Sequence, residues 1–143
     1  MESLPQNILA DTGPLFALIH AGDADHVRAV QFARRFTGRL ITTWPVLTEV
    51  SYLLVQSDRR GMAALFGMIL DGHLSVADLE SDDVQYMRTL TEKYETMDLA
   101  DASLVAVGER LDVLDVIALD RRDFSRYRTR TRRAFRNHFP EKP

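Results

Sequence analysis

Short, almost wholly apolar segments alternate with longer helical segments along this chain, and this alternation constrains the fold more than any other feature. Residues 8–10, 40–43, 74–77 and 113–119 have the length and aliphatic content of buried strands, and 134–139 is the candidate for one more. Strands that are apolar throughout must be covered on both faces. The pattern predicts an α/β fold, a three-layer sandwich with a central, mainly parallel sheet of about four to five strands.

Glycine, proline and hydroxyl residues mark the ends of the helical segments. Gly22 and Gly38 follow the first two helices. Thr43 is expected to cap the third helix, with Pro45 in its first turn, and Ser81 to cap the fifth. The predicted helices span residues 12–21, 25–36, 45–55, 61–70, 81–95 and 99–111.

Length and composition limit the classes of protein that remain. At 143 residues the chain suffices for one domain, expected to span 1–143, and is too short for two comfortable ones. Without cysteine it has neither disulfides nor thiolate metal sites. No apolar run approaches the roughly 18 residues of a membrane span, and Glu2 stands where a signal peptide is basic. We therefore expect a cytoplasmic protein without membrane contacts.

Charge is distributed unevenly along the chain. Residues 1–120 carry 9 Lys or Arg against 19 Asp or Glu, whereas residues 121–143 carry 9 against 2. The arginine-rich segment 121–139 is therefore either a surface for a phosphate backbone or a solvated tail that balances the acidic body. Aromatic residues within it favour an ordered segment: Phe124, Tyr127, Phe135 and Phe139.

Two aspartates directly follow predicted strands. Asp11 comes after the first apolar segment and Asp120 after the most strongly strand-like one. Because parallel strands end at one edge of the sheet, where such folds bind ligands, both are site candidates. Each also fits the N-cap of a following helix, and for either one alone capping is the more common role.

Two helical segments contribute further acids. Glu49 lies at the border of an apolar helix face, where desolvation demands a cation, a metal or a proton unless the side chain extends to solvent. Asp101 lies beside the apolar face of 99–111 and is expected to be the inner acid there. Asp98 is either an N-cap or an assisting acid, and capping is favoured.

Four carboxylates from separate elements, those of Asp11, Glu49, Asp101 and Asp120, would repel one another without a cation between them. An all-oxygen set without a histidine pair suits Mg²⁺ or Mn²⁺. Such an ion supports phosphodiester hydrolysis, because it activates water and neutralises charge on the phosphate. The arginines of 121–139 would hold the polyanion.

The order and surroundings of these acids resemble the PIN-domain family. The segments ILADTGPLFALI, TTWPVLTEVSYLL, MDLADASLVAVGERL and VIALDRRDF each centre on an acid and follow the order of the family's four motifs. The resemblance covers about residues 8–139 and is greatest to the VapC-like toxin ribonucleases of type II toxin–antitoxin systems. It implies a PIN-like domain and a ribonuclease whose catalytic, Mg²⁺- or Mn²⁺-binding acids are Asp11, Glu49, Asp101 and Asp120.

The resemblance also implies assisting residues and partners. Thr12 matches a hydroxyl residue that often follows the first Asp, whereas Ala118 stands where the family often has a second one. Asp98 and Asp123 are the further acids expected to assist. RNA is the expected substrate, a cognate antitoxin the expected protein partner and a homodimer the expected assembly. The arginines expected to position the RNA backbone are Arg121, Arg122, Arg126 and Arg128.

Two other classes of function fit the same residues less well. A noncatalytic PIN-type module that binds RNA or protein would keep the fold but does not need four acids. Another Mg²⁺-dependent α/β phosphohydrolase, with Asp11 as its nucleophile, usually has a second Asp close behind the first or a lysine at a late strand end. Here the sequence after Asp11 is TGP, and the only lysines are Lys93 and Lys142.

Overall fold

The computed structural model describes residues 3–143 and contains a five-stranded sheet in the order β3-β2-β1-β4-β5. Every neighbouring pair of strands is parallel. The predicted α/β fold with a mainly parallel sheet is therefore confirmed. The strands are β1 (Asn7–Ala10), β2 (Arg39–Thr42), β3 (Leu74–Val76), β4 (Asp115–Ile117) and β5 (Arg136–Asn137).

Six of the helices agree with the sequence prediction to within a few residues, and the last one was not predicted. That helix has only six residues, four of them charged, so it lacks the apolar periodicity of the others. No helix within residues 3–143 is long and apolar enough to cross a membrane. The helices are α1 (Thr12–Ile19), α2 (His26–Arg35), α3 (Trp44–Ser57), α4 (Gly61–Leu70), α5 (Ser81–Lys93), α6 (Leu99–Leu111) and α7 (Arg121–Arg126).

Two predicted caps differ in their chemistry. Glu80, not Ser81, caps α5, because its side chain and that of Asp83 form a reciprocal capping box. Thr43 does occupy the N-cap position of α3, but its hydroxyl hydrogen-bonds to that of Ser103 on α6 at 2.6 Å. This buried contact joins two helices that each carry a candidate acid.

Helices cover both faces of the sheet. On one face, residues of α1 and α2 such as Leu15 and Phe32 line an apolar cavity together with Leu40 of β2. On the other face, α6 approaches β1 closely at Gly108, where a Cβ atom would lie 2.8 Å from Cδ1 of Leu9. The central strand β1 is thereby buried from both sides, as an apolar parallel strand requires.

The close approach at Gly108 gives a prediction about stability. A Cβ atom there would also meet the carbonyl oxygen of Val113 at 2.7 Å, so Gly108→Ala should lower the free energy of unfolding by about 2 kcal/mol. Gly67 on α4 is the matched control, because nothing lies within 4 Å of its added Cβ. Gly67→Ala should raise the free energy of unfolding by about 0.5 kcal/mol. Urea denaturation measures both, and equal effects of the two substitutions would contradict the prediction.

Candidate active site

Asp11 stands at the carboxyl end of the central strand, where the backbone is held from both sides. Its amide donates to the carbonyl of Ile117 on β4 at 3.1 Å, and the hydroxyl of Thr42 on β2 donates to the carbonyl of Ala10 at 2.9 Å. Although Asp11 occupies the N-cap position of α1, its side chain makes no capping hydrogen bond. Its carboxylate is therefore available for another role at the edge where such sheets bind ligands.

Asp98 and Asp101 open α6 in two different ways. Asp98 is the N-cap, and its Oδ1 accepts a hydrogen bond from the amide of Asp101 at 2.9 Å. Asp101 is only 9% exposed, and its Oδ2 accepts a 2.7 Å hydrogen bond from the hydroxyl of Tyr127. Asp101 is thus the inner acid of the pair, and Asp98 is both a cap and a neighbouring charge.

Glu49 approaches the same region from α3. Its side chain is exposed, which is the solvent-directed alternative for a residue at the border of an apolar face, yet partial desolvation and the charge of Asp98 raise its pKa. The nearby hydroxyl of Thr12 lowers the pKa of Glu49 and partly offsets this rise. That hydroxyl is buried, and it makes no hydrogen bond of acceptable geometry to any of the residues described. A buried hydroxyl of this kind, beside a carboxylate, is a polar group left over for a further ligand.

Asp11, Glu49, Asp98 and Asp101 form an acidic cluster whose members act on one another electrostatically. Burial, followed by the charge of Asp101, raises the pKa of Asp11 to about 7. Burial also raises the pKa of Asp101 to about 6, despite the hydrogen bond that its carboxylate accepts. Within residues 3–143, no arginine, lysine or histidine forms an ion pair with any of the four. The cluster therefore carries negative charge that no side chain there neutralises.

The fourth predicted ligand, Asp120, has a different environment. Its side chain caps α7 by accepting a hydrogen bond from the amide of Arg122 at 2.9 Å, and it is 52% exposed. The charge of Asp123 contributes to the raised pKa of Asp101. Of the two acids in this segment, Asp120 thus caps α7, and Asp123 acts electrostatically on the cluster.

Ala118 cannot supply the hydroxyl that the resemblance to the PIN-domain family implies at this position, but its backbone is fixed in another way. The side-chain amide of Asn137 accepts from the Ala118 amide at 3.2 Å and donates to its carbonyl at 3.0 Å. The side chain thus continues the hydrogen bonding between β4 and β5 by one more residue. This contact fixes the chain two residues before Asp120.

The arginine-rich segment 121–139 packs on the body of the protein, since all four of its aromatic side chains are buried. Three of the four arginines expected at the RNA backbone are already engaged. Arg121 donates to the carbonyl of Phe139, Arg126 pairs with Asp123 at 3.2 Å, and Arg128 donates to two backbone carbonyls at 2.8 Å. Arg122 makes only a long ion pair with Asp120, at 3.8 Å, and is 91% exposed, so its guanidinium is the most accessible of the four.

The donor set fits a hard divalent cation in its chemistry. It consists of carboxylate oxygens with uncompensated charge, together with the unpartnered hydroxyl of Thr12. However, no three acidic or histidine side chains in the described part of the chain are positioned to hold one ion as they stand. Side-chain rotation would have to bring them together, and exposed Glu49 is free to make such a movement.

One contact of the candidate site was not predicted from the sequence, namely the hydrogen bond from Tyr127 to Asp101. The signal available was the spacing of Phe124 and Tyr127, which places two aromatic side chains on one side of a helical turn. That spacing predicts burial but does not identify the carboxylate, 26 residues away, that accepts the hydroxyl.

The fold and the acidic edge define the class of protein: a three-layer α/β protein whose parallel sheet carries carboxylates at the ends of its strands. No family model matches the chain. A curated relative, ribonuclease VapC26 of Mycobacterium tuberculosis, is 25% identical over 126 residues, which cover 85% of this chain and 92% of that protein.

Solved structures give the same result. The crystal structure of M. tuberculosis VapC20, described as a toxin that cleaves the sarcin–ricin loop, aligns with a TM-score of 0.71 at 26% identity, over 79% of this chain and 89% of that one. A toxin–antitoxin complex from Klebsiella pneumoniae aligns with a TM-score of 0.64 at 18% identity, over 83% and 91%, and shows the fold alone. The resemblance to VapC-like PIN-domain proteins is therefore confirmed in both sequence and fold.

The raised pKa of Asp11 predicts how stability depends on pH. The unfolded chain ionises Asp11 near its ordinary pKa of 3.8, whereas the folded protein ionises it near 7. The free energy of unfolding should therefore fall as the pH rises from about 4 to about 7 and remain low above that. In EDTA at pH 8, Asp11→Asn should be more stable than the wild type by on the order of 2 kcal/mol. Denaturant titration at pH 5 and pH 8 measures this difference.

Asp120→Asn is the control for this prediction. Asn caps helices as well as Asp does, so the half-exposed cap of α7 should tolerate the substitution with a change below about 0.5 kcal/mol. An Asp11→Asn variant that is less stable than the wild type at pH 8 would show that the folded protein depends on the Asp11 charge.

Proposed function

We propose that this protein is an endoribonuclease that hydrolyses RNA phosphodiester bonds with Mg²⁺ or Mn²⁺, and that it is the toxin of a type II toxin–antitoxin pair. The observation that carries the proposal is the acidic cluster at the carboxyl edge of the sheet, whose charge no cation in residues 3–143 balances. Two proteins of similar sequence are named as a ribonuclease and as a toxin that cleaves the sarcin–ricin loop.

The residues proposed to hold the metal are Asp11, Glu49 and Asp101, with Asp120 or Asp123 as the fourth acid. When bound, Mg²⁺ or Mn²⁺ supplies an activated water and neutralises charge on the phosphate. Because burial raises the pKa of Asp11 to about 7, metal binding near neutral pH should be accompanied by release of a proton from its carboxyl group. Asp98 assists them with its negative charge, which its capping hydrogen bond holds in place, and Thr12 assists them with its unpartnered hydroxyl.

The arginines 121, 122, 126 and 128 are proposed to position the RNA backbone. Three of them differ in what their side chains contact, and Arg126 pairs with Asp123. Arg121 and Arg128 hold the shape of the segment through backbone carbonyls, whereas Arg122 extends into solvent beside the acidic edge. A phosphate next to Asp120 would meet the Arg122 guanidinium first, because Arg122 lies 3.8 Å from that carboxylate.

Cleavage of a mixed RNA pool tests the enzymatic part of the proposal. The wild type should cut RNA with Mg²⁺ or Mn²⁺ and not with EDTA, and Asp11→Asn and Asp101→Asn should each lower the rate at least about 100-fold. Asp120→Asn and Asp123→Asn identify the fourth acid, since only the ligand should show a loss of similar size. Asp82→Asn removes an exposed charge from the first turn of α5 and serves as the control.

Two results would contradict the proposal that the protein is a nuclease. One is cleavage that persists in EDTA or in both Asp11→Asn and Asp101→Asn, which would move the chemistry elsewhere. The other is RNA binding without cleavage in the presence of either metal, which would identify a noncatalytic RNA-binding module.

The same RNA pool tests Arg122. Arg122→Ala should reduce the dependence of binding on salt by about one phosphate contact. Arg60 is a matched control, because it is 92% exposed and pairs with an aspartate, but lies beyond the far end of α3 from Glu49. Arg60→Ala should leave the salt dependence unchanged, and an equal effect of both substitutions would argue against a local role of Arg122.

The proposed protein partners are a cognate antitoxin and a second copy of the chain, and the proposed location is the cytoplasm. Exposed apolar side chains on α3 and α4 support an interface. Tyr52 is 65% exposed, Phe66 53% and Leu70 86%, which is more apolar surface than packing on the sheet requires. We assign this α3–α4 face to the homodimer.

Phe66→Glu tests the homodimer. The charged side chain should convert a dimer at roughly 10 µM into a monomer, because it would be desolvated at the interface without a partner. Val84 on α5 is 54% exposed and provides the control, since Val84→Glu should leave the dimer intact. Analytical ultracentrifugation measures the mass, and a monomeric wild type at about 100 µM would overturn the assignment.

A further inference from the structure

Tyr127 is a buried tyrosine whose hydroxyl points at the inner acid of the cluster. The residue has no exposed surface, and its hydroxyl donates a 2.7 Å hydrogen bond to Oδ2 of Asp101. The amide of Asp101 is held as well, by Oδ1 of Asp98 at 2.9 Å. One oxygen of the Asp101 carboxylate is therefore committed to the phenol, and the rotation of the other is limited.

The phenol differs from other partners that a buried carboxylate commonly has. An arginine or lysine would neutralise the charge of Asp101 and compete with a cation for it. A neutral hydroxyl donor satisfies one oxygen and leaves the negative charge in place. The contact therefore suits a carboxylate that has to be oriented and still be able to bind a cation.

The aromatic ring that carries this hydroxyl is itself fixed by its neighbours. The rings of Tyr94 and Phe124 meet that of Tyr127 edge to face, each with centroids 5.1 Å away. The hydroxyl of Tyr94 accepts a hydrogen bond from the amide of Arg128 at 3.0 Å, which holds the chain just after Tyr127.

The following loop is clamped to α5 and α6. The guanidinium of Arg130 lies 3.8 Å from the ring centroid of Tyr86 and 3.7 Å from a carboxylate oxygen of Glu109. Thr129 is buried, and its hydroxyl accepts from the amide of Arg133 at 3.1 Å. The ring of Tyr127 and the loop that follows it are thus both held in place, and the position of the hydroxyl is fixed with them.

We propose that Tyr127 is a positioning residue, which holds the Asp101 carboxylate in the orientation that binds the divalent cation of the site. The proposal rests on the proposed function as far as the cation is concerned. It assigns to Tyr127 no contact with RNA and no proton transfer. A purely structural tyrosine, in contrast, would stabilise the fold and leave metal affinity unchanged.

Removal of the hydroxyl tests the proposal, with Mn²⁺ alone as the probe. Tyr127→Phe should weaken Mn²⁺ binding by roughly 10- to 100-fold at pH 8, measured by isothermal titration calorimetry or by the electron paramagnetic resonance signal of free Mn²⁺. Tyr94→Phe is the matched control. It also removes a hydroxyl with one hydrogen bond, from the same aromatic group, but does not touch Asp101.

Thermal denaturation separates the two roles. Both variants lose a hydrogen bond and should melt at lower temperature than the wild type. Only Tyr127→Phe should change the Mn²⁺ dissociation constant, and Tyr94→Phe should stay within about twofold of the wild type. In the RNA assay, Tyr127→Phe should require more Mg²⁺ for half-maximal rate.

The wild-type protein provides a second test that does not depend on a folded variant. In an NMR spectrum of protein labelled with ¹³C at the tyrosine Cζ, addition of Mg²⁺ should shift the Tyr127 signal. The reason is that Asp101, which accepts the hydrogen bond of the Tyr127 hydroxyl, would then bind a cation. The signal of exposed Tyr52 should stay in place. A Tyr127 signal unmoved at saturating Mg²⁺ would overturn the proposal.

The outcomes distinguish this inference from the proposed function. If Tyr127→Phe weakens Mn²⁺ binding and the wild type cuts no RNA, the positioning role stands and the nuclease fails. If the wild type cuts RNA but Tyr127→Phe binds Mn²⁺ as tightly as Tyr94→Phe, the positioning role is overturned and the nuclease stands. A wild type that binds no Mn²⁺ overturns the positioning role as well.

Discussion

Carboxylates that repel one another meet at the end of the central strand, and the rest of the structure has to hold them together. Asp11 ends β1, whereas Asp98 and Asp101 begin α6. The charge of Asp98 raises the pKa of both Asp11 and Asp101, and that of Asp101 raises the pKa of Asp11, although burial makes the largest contribution in each case. Such a group opposes folding unless other interactions hold its elements together. The buried strands, the Thr43–Ser103 contact and the close approach of α6 to β1 provide that support.

The fold was predictable because the signals for it are local. Apolar segments of three to seven residues, each followed by a helical period, allow few arrangements other than a covered parallel sheet. Asp11 could be placed at the edge of that sheet because it follows the strand directly. Asp98 could be assigned as a cap because its spacing to the helix start is short. In each case the decisive neighbours are close in sequence.

The remainder of the site depends on contacts between distant residues, which periodicity does not report. Asp120 and Asp123 lie three residues apart on the same short segment, and only the path of α7 determines that Asp120 caps the helix while the charge of Asp123 acts on Asp101. The arginines of the segment looked equivalent in sequence. In the structure, Arg121 and Arg128 donate hydrogen bonds to backbone carbonyls and Arg126 donates one to the carboxylate of Asp123, whereas the side chain of Arg122 remains exposed.

The hydrogen bond between Tyr127 and Asp101 also has a consequence for the order in which the site forms. The chain is synthesised from its amino end, so the acids at positions 11, 49 and 101 exist before the tyrosine that fixes one of them. The strand β5, which borders β4, is also made after these acids. An incomplete chain therefore carries the charges of the site without the contact that orients Asp101. The geometry of the site can therefore form only after residue 127 has been synthesised and has packed against α6.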